Sequence, residues 1–312
     1  MYNANIQTYA LATFLSMEKP PLIAIVGPNA SGKTSLSIAL AKKFNGEIIS
    51  ADSRQVYRGM DIGTGKVTRQ EQKSIKHHLI DVADARREFN VSHFKKLATS
   101  DIKKILAIGK LPFLVGGTGF WIRSIVDDLD LPAVKPNIKL RRLLSKKTAT
   151  ELFRILKKLD WQRARTVDRH NPYRLIRSIE IIRTTGKKIP PLKKSSPYNV
   201  LLLGVRHSLP KLYRLIDQRL DRRIRQGLIR EVARLHRQGV SWQRLHDIGL
   251  EYRFVSLYLR GTMTRQEMGA RLKHAIHHYA KRQLTWFRPD KRINWITSRQ
   301  QAEKLIIKHL HP

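Results

Sequence analysis

The chain has 312 residues, and 61 lysines and arginines against 24 aspartates and glutamates give it a formal net charge of +37. It contains no cysteine, which excludes disulfides, cysteine zinc sites and thiol catalysis. No apolar run is long enough to span a bilayer, so we expect no membrane partner. The absence of cysteine fits a reducing compartment, and the expected location is the cytoplasm. A charge of this size favours a nucleic acid partner. An acidic membrane surface and a generally basic proteome are the alternative explanations.

The N-terminal segment, residues 1–19, is predicted to be a flexible extension. It lacks the basic region that opens a secretory signal. Met17 lies directly before the first predicted strand. An alternative interpretation is that residues 1–16 result from a start codon assigned too far upstream.

A phosphate-binding loop follows the first predicted strand, Leu22 to Val26. Residues 27–34 match the pattern G-x-x-x-x-G-K-[ST], and Leu36, Leu40 and Phe44 then mark one face of a helix. In this setting backbone N–H groups surround phosphate oxygens, the lysine adds positive charge and the threonine hydroxyl can bind Mg²⁺. The residues predicted to bind phosphate are Gly27, Asn29, Ala30, Ser31, Gly32, Lys33 and Thr34, with Thr34 as the Mg²⁺ ligand.

Three more strands are predicted over residues 46–53, 77–82 and 112–115, with a helix capped by Ser92 and ended by Gly109 between the last two. Asp52 lies where the second strand ends, beside the expected position of the phosphate loop. A turn or cap aspartate is the alternative interpretation. The strand at 112–115 ends in Gly-Gly-Thr-Gly rather than in the acidic residue of a nucleotide hydrolase.

These alternations predict an α/β fold: a P-loop-type doubly wound parallel sheet with an inserted basic helical subdomain and C-terminal helices. We expect the core over 20–130 and 196–290, the insertion over 131–195 and a C-terminal tail over 291–312. Residues 131–200 hold 19 basic and four acidic side chains. Helical patterns there cover 138–144, 151–159 and 173–183, and the last leaves Arg174, Arg177 and Arg183 on its outer face.

Two long helices are predicted after Leu209. The first extends to Leu235, and the second carries Met268, Leu272, Ile276 and Tyr279 on its apolar side. His274 and His278 have a spacing that can bind a metal, but without a third ligand, packing or backbone contacts are favoured.

Several segments together resemble the tRNA dimethylallyltransferases. In family order they are residues 27–34, 52–64, 77–82, 116–119, 169–174 and 280–288, and the similarity covers roughly residues 20–290. The block Asp52 to Thr64 is the most specific of them. The resemblance implies transfer of a dimethylallyl group from dimethylallyl diphosphate to N6 of adenine 37 in tRNA, with release of pyrophosphate and Mg²⁺ as cofactor.

The resemblance also implies residue roles. Asp52 would be the general base, with Thr118 near the reacting atoms and Arg219 on the diphosphate. The tRNA anticodon stem-loop would be bound by Ser53, Gln55, Arg174, Arg177, Lys281, Arg282, Gln283 and Arg288. The expected oligomeric state is a monomer.

Two departures from the family pattern affect this site. Leu215 stands where many members have an arginine, and Arg214 points about 100° away around the helix. The usual Ile-Gly-Tyr-Lys-Glu is replaced by residues 248–252, Ile-Gly-Leu-Glu-Tyr. A free adenine-nucleotide isopentenyltransferase, a P-loop nucleoside or small-molecule kinase and a noncatalytic RNA-binding protein are the alternative functions.

Overall fold

The structure, a computed structural model, describes residues 18–190 and 195–311. The expected extension over 1–19 therefore lies almost entirely outside the described residues. The chain forms two compact units. One comprises the residues up to Asp128 together with those from Ser196 onward, and the other comprises Leu129–Ser195.

The first unit is built on a parallel sheet of six strands in the order β3-β2-β4-β1-β5-β6. Their bounds are β1 Pro21–Val26, β2 Gly46–Ser50, β3 His77–His78, β4 Leu111–Gly116, β5 Asn199–Val205 and β6 Ile293–Ile296. The central strands are apolar and buried on both faces, as a parallel sheet covered by helices requires. The predicted α/β class is confirmed.

Helices cover both faces of this sheet. Those of the first unit are α1 Lys33–Lys43, α2 Arg69–Ser74, α3 Val91–Ala107, α4 Gly119–Val126, α9 Leu209–Gln226, α10 Leu228–Arg237, α11 Trp242–Ile248, α12 Leu250–Leu259, α13 Arg265–Phe287 and α14 Arg299–Leu310. The smaller core layer packs Leu40 of α1 and Ile306 of α14 on one face. The larger layer packs α3, α4 and the helices from α9 to α13 on the other. Within the described residues, no helix has the length and apolarity to cross a membrane.

Three local expectations were wrong. Asn90, not Ser92, caps α3, because its side chain accepts the N–H groups of Ser92 and His93. The single helix expected from Leu209 to Leu235 is two helices, broken at Gly227, whose φ of 106° a helix interior does not accept. The expected tail over 291–312 contributes β6 to the sheet and α14 to a core layer, because Ile293, Ile296, Ala302 and Ile306 bury their side chains.

The second unit is helical over its described residues. It contains α5 Ile138–Leu144, α6 Ala149–Leu159, α7 Trp161–Thr166 and α8 Pro172–Thr185. Its core is an apolar cluster with Leu152 and Leu156 from α6 and Leu175 and Ile179 from α8. This amphipathic packing follows the periodicity of the sequence.

Glu180 joins the parts of this unit through a buried carboxylate. It accepts hydrogen bonds from the Asn137 N–H at 2.7 Å, from Arg141 at 2.8 Å and from Arg177 at 2.6 Å. Arg177 also donates to the Val134 carbonyl, at 2.9 Å. Burial alone would raise the pKa of Glu180, but the hydrogen bonds outweigh it and lower the pKa to about 2. Arg177 therefore has a structural role within this unit, and its expected contact with tRNA stays a prediction.

We predict that Glu180→Gln lowers the free energy of unfolding of the protein by about 2 kcal/mol near neutral pH, because two arginines lose a charged partner. The wild-type pKa of about 2 lies below the ordinary value of 4.5, so this stabilisation is complete above pH 4.5 and disappears as the pH falls to about 2. Denaturant unfolding of both proteins across this pH range measures it. Asp130→Asn, on an exposed side chain of the same unit, is the control. Equal stability of wild type and Glu180→Gln at pH 7 would contradict the prediction.

Candidate active site

The phosphate loop connects β1 to α1 and has the backbone that its sequence predicts. Ala30 and Gly32 have φ angles of 61° and 86°, so the chain curls before Lys33 begins the helix. The Ser31 hydroxyl is buried and has no hydrogen-bond partner among the described residues. A buried hydroxyl beside a helix N-terminus is a ready donor for an anion.

His207 and Gln283, which are distant in sequence, hold this loop. His207 follows β5 and donates from Nε2 to the Ser31 carbonyl at 3.0 Å. Gln283 of α13 accepts the Asn29 N–H through Oε1 at 2.9 Å, which takes that backbone donor away from a phosphate. His207 was not identified from the sequence, because nothing near it in the chain marks a contact with the loop.

Lys33 lies in the site with its Nζ donating to the Pro28 carbonyl at 2.7 Å. Burial and the positive charge of Arg219 lower its pKa to about 7, while the Asp52 carboxylate acts in the opposite direction. The lysine is therefore only partly charged at neutral pH, and an anion beside it would restore the charge.

Arg219 of α9 lies on the same cavity and donates to the Gly65 carbonyl at 3.2 Å. Burial and the neighbouring Arg223 lower its pKa to about 10. Arg223 bonds the Gly63 carbonyl and the Glu251 carboxylate, each at 3.1 Å. Leu215 does not line the cavity, and Arg214 is exposed. The arginines of the cavity wall are therefore Arg219, Arg223 and Arg54.

Asp52 and Thr118 follow β2 and β4, which are neighbours in the sheet. Asp52 lines the cavity and accepts the Arg54 N–H through Oδ1 at 2.9 Å. Ser53 connects this turn to Thr118, whose hydroxyl accepts the Ser53 N–H at 3.2 Å and lies 3.4 Å from Ser53 Oγ. The sheet topology thus brings both predicted catalytic residues to one edge. Burial and the Asp52 charge raise the pKa of Tyr279, a further lining residue, to about 12.

A buried glutamate shapes the loop opposite the phosphate loop. Glu231 of α10 accepts the N–H groups of Asp61, Ile62 and Gly63 at 2.7 to 3.0 Å, and the Tyr252 hydroxyl at 2.9 Å. Gln55 lines the adjacent wall, where its Oε1 accepts from Ser50 Oγ at 3.1 Å. Glu231 could not be identified from the sequence, because a buried carboxylate on a helix has the same sequence pattern as a solvated one.

The cavity has a polar and an apolar part. The polar part contains the charged groups and one hydroxyl group, from Lys33, Thr34, Asp52, Arg219 and Arg223. The apolar side chains on its wall include Ile216, Leu220, Leu250, Ile276 and Tyr279. All of these residues belong to the first unit.

The remaining predicted residues divide between surface and interior. Lys281, Arg282 and Arg288 are exposed on or just after α13, as is Arg174 on α8 of the second unit. Gln283 corrects the expectation: it is buried, and its Nε2 donates to the Gly117 carbonyl at 3.0 Å, so both ends of its amide are occupied by backbone. The side chain of Gln283 is therefore not available for direct contact with tRNA.

A metal would find few protein ligands here. Over the described ranges there is no group of three or more His, Cys, Asp or Glu side chains that could bind one, and His274 and His278 contact each other at 2.9 Å. Thr34 and Asp52 line the same cavity. This sparse oxygen set fits Mg²⁺, which keeps several waters and binds one or two protein groups together with substrate phosphates.

Comparisons with known proteins identify the family of this chain. The IPP transferase family model matches residues 55–290, and the isopentenyl transferase model matches residues 20–87. The tRNA dimethylallyltransferase of Roseiflexus sp. is 43% identical over 86% of this chain and 90% of its own length. That of Anoxybacillus flavithermus is 42% identical over 88% and 89%.

Solved structures are also similar. The full-length tRNA isopentenylpyrophosphate transferase of Bacillus halodurans is 37% identical and has a TM-score of 0.71, covering 93% of this chain and 96% of its own. A eukaryotic dimethylallyltransferase acting on tRNA is 25% identical with a TM-score of 0.75, covering 92% and 77%.

The pKa of Lys33 predicts a pH-dependent affinity for inorganic pyrophosphate. Below pH 7 the lysine is already charged, and above pH 7 it must take up a proton on binding. Because Lys33 loses its proton above pH 7, the affinity for pyrophosphate should fall by up to about tenfold for each pH unit above 7. Calorimetry from pH 6 to 9, in buffers of different ionisation enthalpy, measures both the affinity and the proton uptake.

Lys33→Met is the control that isolates this effect, because pyrophosphate itself also titrates in this range. The variant should bind more weakly at pH 6.5 and show less proton uptake than wild type. Equal uptake by wild type and variant would show that Lys33 is not the group that titrates.

Proposed function

Because the chain belongs to the tRNA dimethylallyltransferase family, a family of enzymes that prenylate tRNA, we propose that it transfers a dimethylallyl group from dimethylallyl diphosphate to N6 of adenine 37. The observation that carries the proposal is a single cavity that combines the phosphate loop, a carboxylate at the end of β2 and an apolar wall. Neither a kinase nor a simple RNA-binding protein needs that combination.

The diphosphate of the donor would bind at the phosphate loop. The amides at the start of α1, the Ser31 hydroxyl, Lys33 and Arg219 supply donors and positive charge. As the bond between C1 and the bridging oxygen breaks, negative charge grows on the leaving pyrophosphate. These groups would stabilise that charge, which is greater in the transition state than in the ground state.

Mg²⁺ would be bound by Thr34, which lines the same cavity as Asp52, together with substrate oxygens. When bound, it supplies further charge stabilisation to the leaving pyrophosphate. Ser37 supports this position, because its hydroxyl donates to the Thr34 carbonyl at 2.8 Å and so orders the first turn of α1.

Asp52 would act on the acceptor. The adenine amine forms a bond to C1 of the allyl group, C1 releases pyrophosphate, and the amine loses a proton to the Asp52 carboxylate. The Thr118 hydroxyl, bonded to Ser53, would fix the geometry of the turn that carries Asp52. Gln55 lies half-buried on the cavity wall, and its amide bonds Ser50 Oγ and, at 3.4 Å, the Gly65 carbonyl. It would exchange these two bonds for two bonds to the adenine edge.

The apolar wall would accept the five-carbon chain. Ile216, Leu220, Leu250 and Ile276 offer aliphatic surface close to the charged groups of the same cavity. Removing a chain of this size from water is favourable, and it also keeps water from attacking the allyl group.

The exposed cations would bind the anticodon stem-loop by its phosphates, at Lys281, Arg282 and Arg288 near α13 and at Arg174 on the second unit. The target base would leave its stack to reach the cavity. We propose a monomer that acts in the cytoplasm.

We predict that Asp52→Asn lowers the rate of prenyl transfer by roughly a hundredfold or more, because the amide cannot accept the adenine proton. The rate is measured with unmodified tRNA, Mg²⁺ and labelled dimethylallyl diphosphate, followed by mass analysis of the nucleosides. Binding of tRNA should change little. The matched control is Asp84→Asn, on a carboxylate that pairs with Arg86.

Two results would contradict parts of the proposal. A near-normal rate for Asp52→Asn would remove the general-base role. Product on free adenosine phosphates but not on tRNA would move the acceptor to the free nucleotides.

Arg174 and Arg177 give opposite predictions although they lie on one helix. Arg174→Gln together with Arg183→Gln should weaken tRNA binding and reduce the steepness of its salt dependence, since both side chains are exposed. Arg177→Gln should mainly lower the unfolding temperature, because it breaks the bond to Glu180. Filter binding at several salt concentrations, with thermal unfolding, separates the two effects. An unchanged salt slope for the double variant would show that this face does not contact tRNA.

A further inference from the structure

Gln283 connects two loops that the proposed reaction requires. Its Oε1 accepts the Asn29 N–H of the phosphate loop at 2.9 Å, and its Nε2 donates to the Gly117 carbonyl, next to Thr118, at 3.0 Å. The side chain is 5% exposed. We propose that Gln283 is a positioning residue that sets the distance between the bound diphosphate and Thr118. The proposal rests on the proposed function.

The surroundings of Gln283 show that this contact is built into the fold. A Cβ on Gly117 would overlap with the Gln283 amide nitrogen, and it would lie 3.3 Å from the Gly27 carbonyl. A Cβ on Gly119 would likewise overlap with the indole of Trp286, which lies one turn after Gln283 on α13. The loop after β4 therefore contains glycine at the two positions where α13 packs directly against its backbone.

An amide is the side chain that this position requires. Asn29 offers a hydrogen and Gly117 offers an oxygen, so the residue between them must accept on one side and donate on the other. A carboxylate could satisfy only the Asn29 N–H, and an aliphatic side chain could satisfy neither. An unsatisfied buried N–H or carbonyl is costly, so without Gln283 both loops would shift toward water.

The same helix carries exposed cations on its other side. Lys281 and Arg282 precede Gln283 directly, and both are exposed to solvent. Through Gln283, α13 thus connects a proposed tRNA surface to the phosphate loop and to the loop that contains Thr118. A small displacement of these loops would separate the two substrates, and reaction rates fall steeply with such misplacement.

The test compares three variants with wild type. Gln283→Met keeps the side-chain volume but neither hydrogen bond, and Gln283→Glu keeps only the bond to the Asn29 N–H. Thr285→Ala, on an exposed side chain of the same helix, is the control. For each we measure the unfolding temperature, pyrophosphate affinity by calorimetry, tRNA affinity by filter binding, and kcat for prenyl transfer with both substrates saturating.

We expect Gln283→Met to bind pyrophosphate about tenfold more weakly and to show a kcat lowered by about tenfold or more, with tRNA affinity within about twofold of wild type. Gln283→Glu should also lose kcat while keeping tRNA affinity within about twofold of wild type. It keeps the bond to the Asn29 N–H, but it loses the donor to the Gly117 carbonyl and places a negative charge beside the bound diphosphate. Thr285→Ala should behave as wild type.

Gly117→Ala gives an independent test of the same contact. For this test Gln283→Ala is also made, because it leaves room for the new methyl group. The methyl group would displace Gln283, so the loss of kcat in Gly117→Ala should be similar to that in Gln283→Ala, and the double variant should be no worse than either single one. Additive losses would show that the two residues act separately.

The inference is overturned if Gln283→Met folds and keeps both its pyrophosphate affinity and its kcat. It is also overturned if all affinities fall together with the unfolding temperature, in both Gln283→Met and Gln283→Glu, since that pattern describes general destabilisation. Failure of wild type to prenylate tRNA would instead contradict the proposed function, while the pyrophosphate measurements would still test the contact.

Discussion

The structure depends on an excess of buried positive charge around one cavity. Lys33, Arg219 and Arg223 line it, and the acidic residues on its wall are Asp52 and Glu251. The repulsion and the burial lower the pKa of Lys33 to about 7 and that of Arg219 to about 10. A buried cation without a counter-charge is unfavourable. The cavity therefore carries an excess of positive charge. In the proposed reaction a bound diphosphate would offset this excess, and the stabilisation would increase as negative charge develops on the leaving group.

How much of this could be predicted depends on how local each signal is. Lys33 and Thr34 were found because a strand, a glycine-containing turn and a helix stand side by side in the sequence. Asp52 and Thr118 needed one more rule, that parallel strands bring their carboxyl ends to one edge, and β2 and β4 do pair in register. Their assigned chemistry came from family resemblance and stays a prediction.

Gln283 and Glu231 could not be placed in this way. Gln283 bonds a residue 254 positions earlier, and Glu231 bonds Asp61 across 170 positions. Their partners are backbone groups, which carry no residue-specific signal in a single sequence. Gln283 was assigned to tRNA through the family resemblance of residues 280–288, yet the helix turns its side chain inward. The periodicity of α13, with Ile276, Ala280 and Gln283 all buried, carries that information once the helix is known.

The basic residues that give the chain its net charge of +37 have two uses, and only one of them concerns nucleic acid. Residues 51–90 contain little regular structure, so their backbone carbonyls need partners from elsewhere. Arginines supply them: Arg234 bonds the Gly59 carbonyl at 2.9 Å, and Arg244 bonds the carbonyls of Ala85 and Arg87. Arg219 and Arg223 do the same at Gly65 and Gly63.

A guanidinium group suits this purpose because it offers five N–H donors in a fixed plane and stays charged when partly buried. The second unit follows the same principle, since Arg141 and Arg177 neutralise Glu180. Counting basic residues therefore overestimates the surface proposed to contact tRNA phosphates. That proposed surface corresponds to exposed cations such as Arg174, Lys281, Arg282 and Arg288.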